Sequence, residues 1–290
     1  MTRGLRARSA MVGSWLCIAL MAGSMMTGSA NAADGQSPSP FFMFTTSNFP
    51  DAGEHRAVAN TLRQHVTGDD YLSFELVGKF PELADRVDRA HVYALVPSLN
   101  LIAKQAANGC GPRTPGLIIY DAEHWDATPA SEKADMTGAI ARGKAIARKT
   151  GCHAYGVTPD GEYAGIAGQR CSYDLDAGII RRIDWQDISL LVLQAQILLG
   201  DRCNSPSAMQ RYIDFVTAIV GEVRAKSATV RIVTQFSFRH TPPERMITAM
   251  RALRSVVAGF YIAYPSNVGP HCAYCSPANL DTVLAAVRKP

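Results

Sequence analysis

The feature of this sequence that most constrains its fold is a repeated alternation of short β-rich runs with segments of helical periodicity. Eight runs rich in β-branched and aromatic residues are candidate strands, at residues 41–46, 71–77, 92–96, 116–120, 153–157, 190–196, 230–236 and 257–264. From the fourth run onward they start roughly 30 to 40 residues apart, the length of a strand plus a crossover helix. The third is ambiguous, because residues 90–104 could equally form one helix interrupted at Pro97.

Eight such units in about 250 residues are what a closed parallel barrel requires. A doubly wound sheet would usually carry a glycine-rich phosphate turn after its first strand, and none follows residues 41–46. The sequence therefore predicts an α/β protein with one domain, a (β/α)8 or TIM barrel over residues 41–290. Four Ser-Pro or Thr-Pro pairs are predicted to be an N-cap followed by the first helical residue: Thr128-Pro129, Ser205-Pro206, Thr241-Pro242 and Ser276-Pro277.

The N-terminus has the three parts of an export signal. Three arginines within the first eight residues precede an apolar run over residues 11–21, and small residues end in Ala30-Asn31-Ala32. We predict a signal peptide over residues 1–32, a mature chain that begins at Ala33, and a flexible lead over residues 33–40. A retained signal anchor is the alternative. The apolar run is too short to span a bilayer, so we expect a secreted or periplasmic protein without a membrane span.

The charge of the chain argues against a polyanionic partner. The formal net charge is +4 at pH 7. Three of those positive charges leave with the signal peptide, so the mature chain carries about +1, too little to attract nucleic acid. We expect a monomer that binds no nucleic acid and no cofactor.

The cysteines predict three disulfides. Seven are present, and Cys17 leaves with the signal peptide, so an even set of six remains in an oxidising compartment. In a barrel, one pair precedes strands four and five at the bottom rim, and another follows strands five and six at the top rim. The third lies in a Cys-Ala-Tyr-Cys run, for which a thioredoxin-like redox role is the alternative. The predicted pairs are Cys110 with Cys152, Cys171 with Cys203, and Cys272 with Cys275.

Two carboxylates at the end of the fourth strand are the candidate catalytic residues. Leu117, Ile119, Asp121 and Glu123 alternate, so both acids are predicted to follow two apolar residues on the inward face of the barrel. Catalytic groups of such barrels lie at this end of the strands. Two carboxylates about 6 to 7 Å apart along a strand repel each other, which raises the pKa of the less solvated one. One acid that donates a proton beside one that stays ionised is what glycosidic cleavage needs.

The Asp121-Ala122-Glu123 run resembles the end of the D-x-x-D-x-D-x-E motif on strand four of chitinase-like glycoside hydrolases of family 18, which are (β/α)8 barrels. The resemblance implies Glu123 as the general acid and Asp121 as the carboxylate that orients the substrate. Gly116 and Ile119 occupy the positions of the family's first two aspartates. The family's Met-x-Tyr-Asp run on strand six is also missing, since residues 194–197 read Gln-Ala-Gln-Ile.

The predicted function is therefore a secreted glycosidase that acts on a carbohydrate. A barrel that has lost catalysis and binds a glycan or a protein is the alternative. Side chains that can bind hydroxyls or stack on sugar rings complete the predicted site: Trp125, Gln194, Gln196, Gln235, Tyr261 and Tyr264.

Two further acidic arrangements lie near the predicted strand ends. Asp121, Glu123, His124 and Asp126 include potential metal ligands in a short span, but consecutive strand residues such as Glu123 and His124 point to opposite faces, so no metal site is predicted. Asp160 and Glu162 after the fifth strand could bind substrate, although an exposed turn is the favoured interpretation.

Overall fold

Eight parallel β-strands close on themselves in the computed structural model, which describes residues 40–46, 52–112, 114–239, 241–264 and 272–288. The predicted signal peptide and residues 33–39 of the lead lie outside the described residues. Each strand pairs in parallel with the next along the chain, and β1 pairs with β8. This is the predicted (β/α)8 barrel in one domain. The strands are β1 (Phe41–Thr46), β2 (Tyr71–Ser73), β3 (Val92–Val96), β4 (Leu117–Ala122), β5 (Ala154–Pro159), β6 (Leu190–Leu193), β7 (Arg231–Ser237) and β8 (Gly259–Tyr264).

Alternate residues of the strands form two separate apolar layers. One set, which includes Met43, Tyr93, Ile119 and Val192, packs in the barrel interior. The intervening residues pack outward against the helices in a larger cluster. Because the side chains of a strand alternate between its faces, membership of either layer tells which way each strand residue points.

In the described part of the chain, helices cover the outside of the barrel after seven of the strands. They are α1 (Ala52–His65), α2 (Phe74–Lys79), α3 (Pro81–Ala84), α4 (Leu99–Ala107), α5 (Ala130–Ala134), α6 (Met136–Arg148), α7 (Ala208–Lys226), α8 (Pro243–Leu253) and α9 (Pro277–Arg288). α7 is typical, since Tyr212, Phe215, Ile219 and Val223 recur at helical spacing and are all buried. Residues 160–189, between β5 and β6, hold no α-helix and carry a short hairpin of Ile166–Ala167 with Ser172–Tyr173.

Two predicted strands extend too far at their carboxyl ends. β2 ends at Ser73 because the Ser73 hydroxyl accepts a hydrogen bond from the backbone N–H of Leu76 at 3.2 Å and so begins α2. β6 ends at Leu193, and Gln196 begins a 3₁₀ turn instead of continuing the strand. The ambiguous third run is a strand, and α4 starts only after Pro97.

The predicted helix starts are correct in one case of four. Ser276 caps α9 by accepting a hydrogen bond from the N–H of Asn279 at 3.0 Å, and Pro277 is the first helical residue. The other three helices begin later: Pro129 and Pro242 are themselves the N-cap residues of α5 and α8, and α7 starts at Ala208. A proline at the N-cap leaves no side-chain acceptor for the first turn.

The six cysteines come together in the three predicted pairs. The Cα–Cα separations are 5.2 Å for Cys110 with Cys152, 5.4 Å for Cys171 with Cys203, and 5.4 Å for Cys272 with Cys275. All three lie within the range that a disulfide spans. The first pair ties the segments that enter β4 and β5, and the second ties the loops that leave β5 and β6.

No helix within the described ranges is long and apolar enough to cross a membrane.

Candidate active site

Asp121 and Glu123 lie at the carboxyl end of β4, the end at which active sites of this fold occur. Leu117 and Ile119 belong to the interior layer, so Asp121, two residues further along, also faces inward. Asp121 is only 6% exposed, and Glu123 follows the strand in a half-buried position. The alternation read from the sequence therefore holds through the last residues of β4.

Gln194 joins the two acids from the end of β6. Its amide nitrogen Nε2 lies 2.8 Å from Glu123 Oε1 and 3.3 Å from Asp121 Oδ1. Because Nε2 carries two hydrogens, it can donate one to each carboxyl group. Gln194 is itself 9% exposed. The three side chains thus form one hydrogen-bonded cluster at the top of the barrel interior.

The deeper carboxyl of the pair is the one that holds a proton more tightly. Burial raises the pKa of Asp121 well above its usual range, and the charge of Glu123 together with a hydrogen bond to Glu123 raises it further. The resemblance implies that Glu123, as the general acid, is the one that holds a proton. The structure instead buries Asp121 more deeply than Glu123, so Asp121 is the acid of the pair whose pKa is raised.

A cleft of about 260 Å³ opens in front of Glu123. Trp125 and Ile197 line it and are 46% and 38% exposed, two of the three large apolar side chains exposed in the described part of the chain. Its charged lining consists of Glu123, Asp160 and Glu162 beside His124, and the described residues that line it include no lysine or arginine.

Asp160, which directly follows the neighbouring strand β5, pairs with His124, and this pair was not predicted from the sequence. The Asp160 carboxylate accepts hydrogen bonds from His124 Nδ1 and from the His124 backbone N–H, both at 2.8 Å, and from the N–H of Tyr163 at 2.9 Å. The His124 ring stacks on Tyr163 with the ring centres 3.8 Å apart. Asp160 does begin the predicted turn, but its carboxylate also fixes His124 beside Glu123.

Of the remaining predicted residues, one lines the cleft and two face the barrel interior. Gln196 lines the cleft, and its Oε1 atom is buried without a hydrogen-bond partner among the described residues. Tyr261 faces the interior from β8, where burial and then the charge of Asp121 raise the pKa of its hydroxyl. Gln235 shares that inner face on β7, paired in register with Tyr261.

Tyr264 does not belong to the cleft. It belongs to the outer layer and packs on Phe238, with the ring centres 5.9 Å apart. Tyr261 and Tyr264 are three residues apart on one strand, so they necessarily point to opposite faces.

Packing explains the residues at the two positions that depart from the chitinase-like motif, Gly116 and Ile119. A Cβ atom at Gly116 would lie 2.5 Å from the carbonyl oxygen of Arg89 and 2.6 Å from Ala90 Cα, so no side chain fits there. Ile119 is completely buried in the interior layer. An aspartate at either position would require a different backbone path or an uncompensated buried charge.

Metal ligands are not assembled at this site: among the described residues, no group of three or more His, Cys, Asp or Glu side chains could hold an ion.

Comparisons with known proteins give the fold class. No protein-family model matches the sequence, and no curated protein sequence matches it. The chain is similar in structure to active domain 2 of a thermostable chitinase from Pyrococcus furiosus, solved as catalytic-site mutants with chito-oligosaccharides, with a TM-score of 0.55 and 9% identity over 86% of this chain and 94% of that one.

More distant likenesses include the catalytic core of xylanase A, with a TM-score of 0.49 and 10% identity over 86% of this chain and 98% of that one. The aldolase QR15 has a TM-score of 0.44 and 10% identity over 75% of this chain and 88% of that one. At 9% identity the likeness to the chitinase domain establishes a TIM barrel and nothing finer. Barrels of this class host many chemistries, so function has to be argued from the cleft itself.

Proposed function

We propose that this protein is a secreted or periplasmic glycoside hydrolase that cleaves an O-glycosidic bond in a carbohydrate. Glu123 is the general acid that protonates the leaving oxygen, and Asp121 is the supporting carboxylate. The observation that carries the proposal is the Asp121–Glu123 pair at the end of β4, with one carboxyl buried and of raised pKa and the other facing an open cleft. Two carboxyls held in unlike environments are what acid catalysis of glycosidic cleavage needs.

The pair supplies the proton in two steps. Asp121 holds the proton in the resting site and donates it to Glu123, which lies nearer the cleft. When a glycosidic oxygen binds beside Glu123, the proton passes to Glu123 and on to that oxygen as the bond to the anomeric carbon breaks. Asp121 is left ionised below the reacting centre, where its negative charge stabilises the positive charge that develops on the sugar. Gln194 keeps both carboxyls in place throughout.

The lining of the cleft favours a sugar without anionic groups. Its charged side chains are carboxylates, apart from His124, and these repel phosphate and uronate groups. Trp125 and Ile197 offer apolar surface for the C–H faces of a sugar ring, and the amides of Gln194 and Gln196 offer partners for hydroxyls.

Export rests on the sequence together with the paired cysteines. The proposed signal peptide covers residues 1–32, and three cysteine pairs at disulfide distance fit a protein that folds in an oxidising compartment.

A glycan-binding barrel without catalysis is the second candidate function. The observation that favours it is the replacement of the family's strand-six tyrosine and aspartate by the run that contains Gln194 and Gln196. In this reading the Gln194 amide holds the two acids as ligand-binding groups only.

The experiment that separates the two is a hydrolysis screen of polysaccharides and aryl glycosides with wild type and Glu123→Gln. Glu82→Gln is the matched control, because Glu82 is an exposed residue of α3, between β2 and β3, and does not line the cleft. Glycosidase activity that Glu123→Gln abolishes on polysaccharides and on aryl glycosides with basic leaving groups, and that Glu82→Gln retains, supports the proposal. Wild type that binds a glycan in calorimetry but cleaves nothing moves the protein to the binding class.

A further inference from the structure

We propose that His124 is the proton-accepting base of the cleft and that its Nε2 atom deprotonates the water that completes hydrolysis. This inference rests on the proposed function, since it names the partner of the general acid Glu123. His124 is not among the predicted catalytic or substrate-binding residues, and the contacts of its imidazole carry the inference.

Three contacts, two with Asp160 and one with Tyr163, fix the orientation of His124. Nδ1 and the backbone N–H both lie 2.8 Å from Asp160 Oδ2, so one carboxylate oxygen holds the ring edge and the chain together. Tyr163 stacks on the ring face, and its own N–H holds the other Asp160 oxygen at 2.9 Å. The imidazole is therefore held rigidly, although the His124 side chain is 46% exposed and lines the cleft.

The Asp160 contact decides which nitrogen carries the proton. An ionised carboxylate can only accept hydrogen bonds, so Nδ1 must be the protonated nitrogen. In the neutral imidazole Nε2 then has a free lone pair. With one ring edge on Asp160 and a face on Tyr163, Nε2 is the polar atom that His124 offers to the cleft, next to the residue that supplies the leaving-group proton.

The charges around His124 support this role. Asp160 contacts Nδ1, the exposed carboxylate of Glu162 lies 3.6 Å from Nδ1, and Glu123 precedes His124 in the loop. All three stabilise an imidazolium ion, so the positive charge that forms when Nε2 accepts a proton is balanced within the cleft.

The step balances without any further reactant. A water O–H proton goes to His124 Nε2 while the water oxygen forms the new bond to the anomeric carbon. The bond from that carbon to the leaving oxygen breaks, and this oxygen takes the proton from Glu123. Afterwards His124 returns its proton to the Asp121–Glu123 pair through solvent.

The protonation of His124 can be tested without any substrate. Long-range ¹H–¹⁵N correlation spectra of ¹⁵N-labelled protein, recorded where the imidazoles are neutral, distinguish the two tautomers. We expect His124 to carry its proton on Nδ1. His65 is an internal control of opposite type, because its Nε2 atom lies 2.7 Å from Asp281 Oδ1 and must carry the proton. A His124 ring with the proton on Nε2 overturns the inference.

The kinetic test compares two histidine variants. His124→Gln is expected to lower kcat by roughly 10² to 10⁴-fold, with little change in KM, and to remove the fall of kcat on the acid side of the pH profile. His65→Gln also loses a histidine–aspartate pair, but one between α1 and α9, and it should keep the wild-type profile.

The outcomes separate the two proposals. If Glu123→Gln is inactive while His124→Gln keeps both the rate and the acid limb of wild type, His124 is not the base but the proposed function stands. If wild type cleaves no glycan, both proposals fail.

Discussion

Replacing Asp121 with asparagine should stabilise the protein at neutral pH, although the residue belongs to the proposed catalytic pair. Asparagine keeps the shape, can accept from Gln194 and can donate to Glu123, but it cannot ionise. The Asp121 carboxyl is buried and its pKa lies well above the usual 3.8. Its favourable contribution is fully present below pH 3.8 and is lost as the pH rises through the folded-state pKa.

The size of the effect follows from linkage. Each pH unit between 3.8 and the folded-state pKa costs the wild type about 1.4 kcal/mol of folding free energy, because the unfolded carboxyl has ionised there while the folded one still holds its proton. In a chain of this size 1 kcal/mol corresponds to about 2 to 4 °C in Tm. Asp121→Asn should therefore melt several degrees above wild type at pH 7, and the two should converge below pH 4.

The assay is a series of thermal melts of both proteins between pH 3.5 and 8 (on the order of one pH unit per step, to cover the linkage window). Asp70→Asn is the contrasting control. Asp70 is also fully buried, but it accepts hydrogen bonds from Phe42 N at 2.7 Å and Thr67 N at 2.8 Å and pairs with Arg288. Its neutralisation should cost about 3 to 5 kcal/mol. A difference between Asp121→Asn and wild type that does not change with pH would refute the assigned protonation.

Three further outcomes are expected. Gln194→Leu removes the donor shared by the two acids and should cost about 1 to 3 kcal/mol in chemical denaturation, whereas Gln196→Leu, whose Oε1 atom is unpartnered within the described residues, should be nearly neutral; equal costs would contradict the bridging role. Replacing Cys110 and Cys152 together by serine opens a loop of sequence separation 42 and should cost about 4 kcal/mol in the same assay; an unchanged midpoint would mean that the bond is absent. Intact mass of secreted material should give a chain that begins at Ala33, and a retained N-terminal methionine would contradict export.

The fold could be predicted because its signal is periodic and local. Each strand and its helix lie close together in sequence, and the alternation within β4 was enough to place Asp121 on the inward face. The same rule, applied to β8, already separates Tyr261 from Tyr264, so the wrong placement of Tyr264 was avoidable. The overestimated length of β2 had a different cause, since a single serine hydroxyl at Ser73 begins a helix inside a run of strand-forming residues.

The site could be predicted only in part, because its loop residues obey no such period. Glu123 and His124 lie beyond the last residue of β4, where strand alternation no longer says which way a side chain points. Asp160 is 36 residues away in sequence and meets His124 only because β4 and β5 are neighbours in the barrel. The sequence signal that could have indicated this pair is an acidic residue after β5 and a histidine after the adjacent strand β4.

The central claim is that Glu123 donates a proton to the leaving group, and its most direct measurement is the dependence of the Glu123→Gln defect on leaving-group acidity. The assay determines kcat/KM for wild type and variant on a series of aryl glycosides that share the sugar found in the screen. We expect the variant to lose roughly 10² to 10⁴-fold on the most basic leaving groups and almost nothing on the most acidic, which need no protonation. The same loss on every member of the series would contradict the assignment of Glu123 as the general acid.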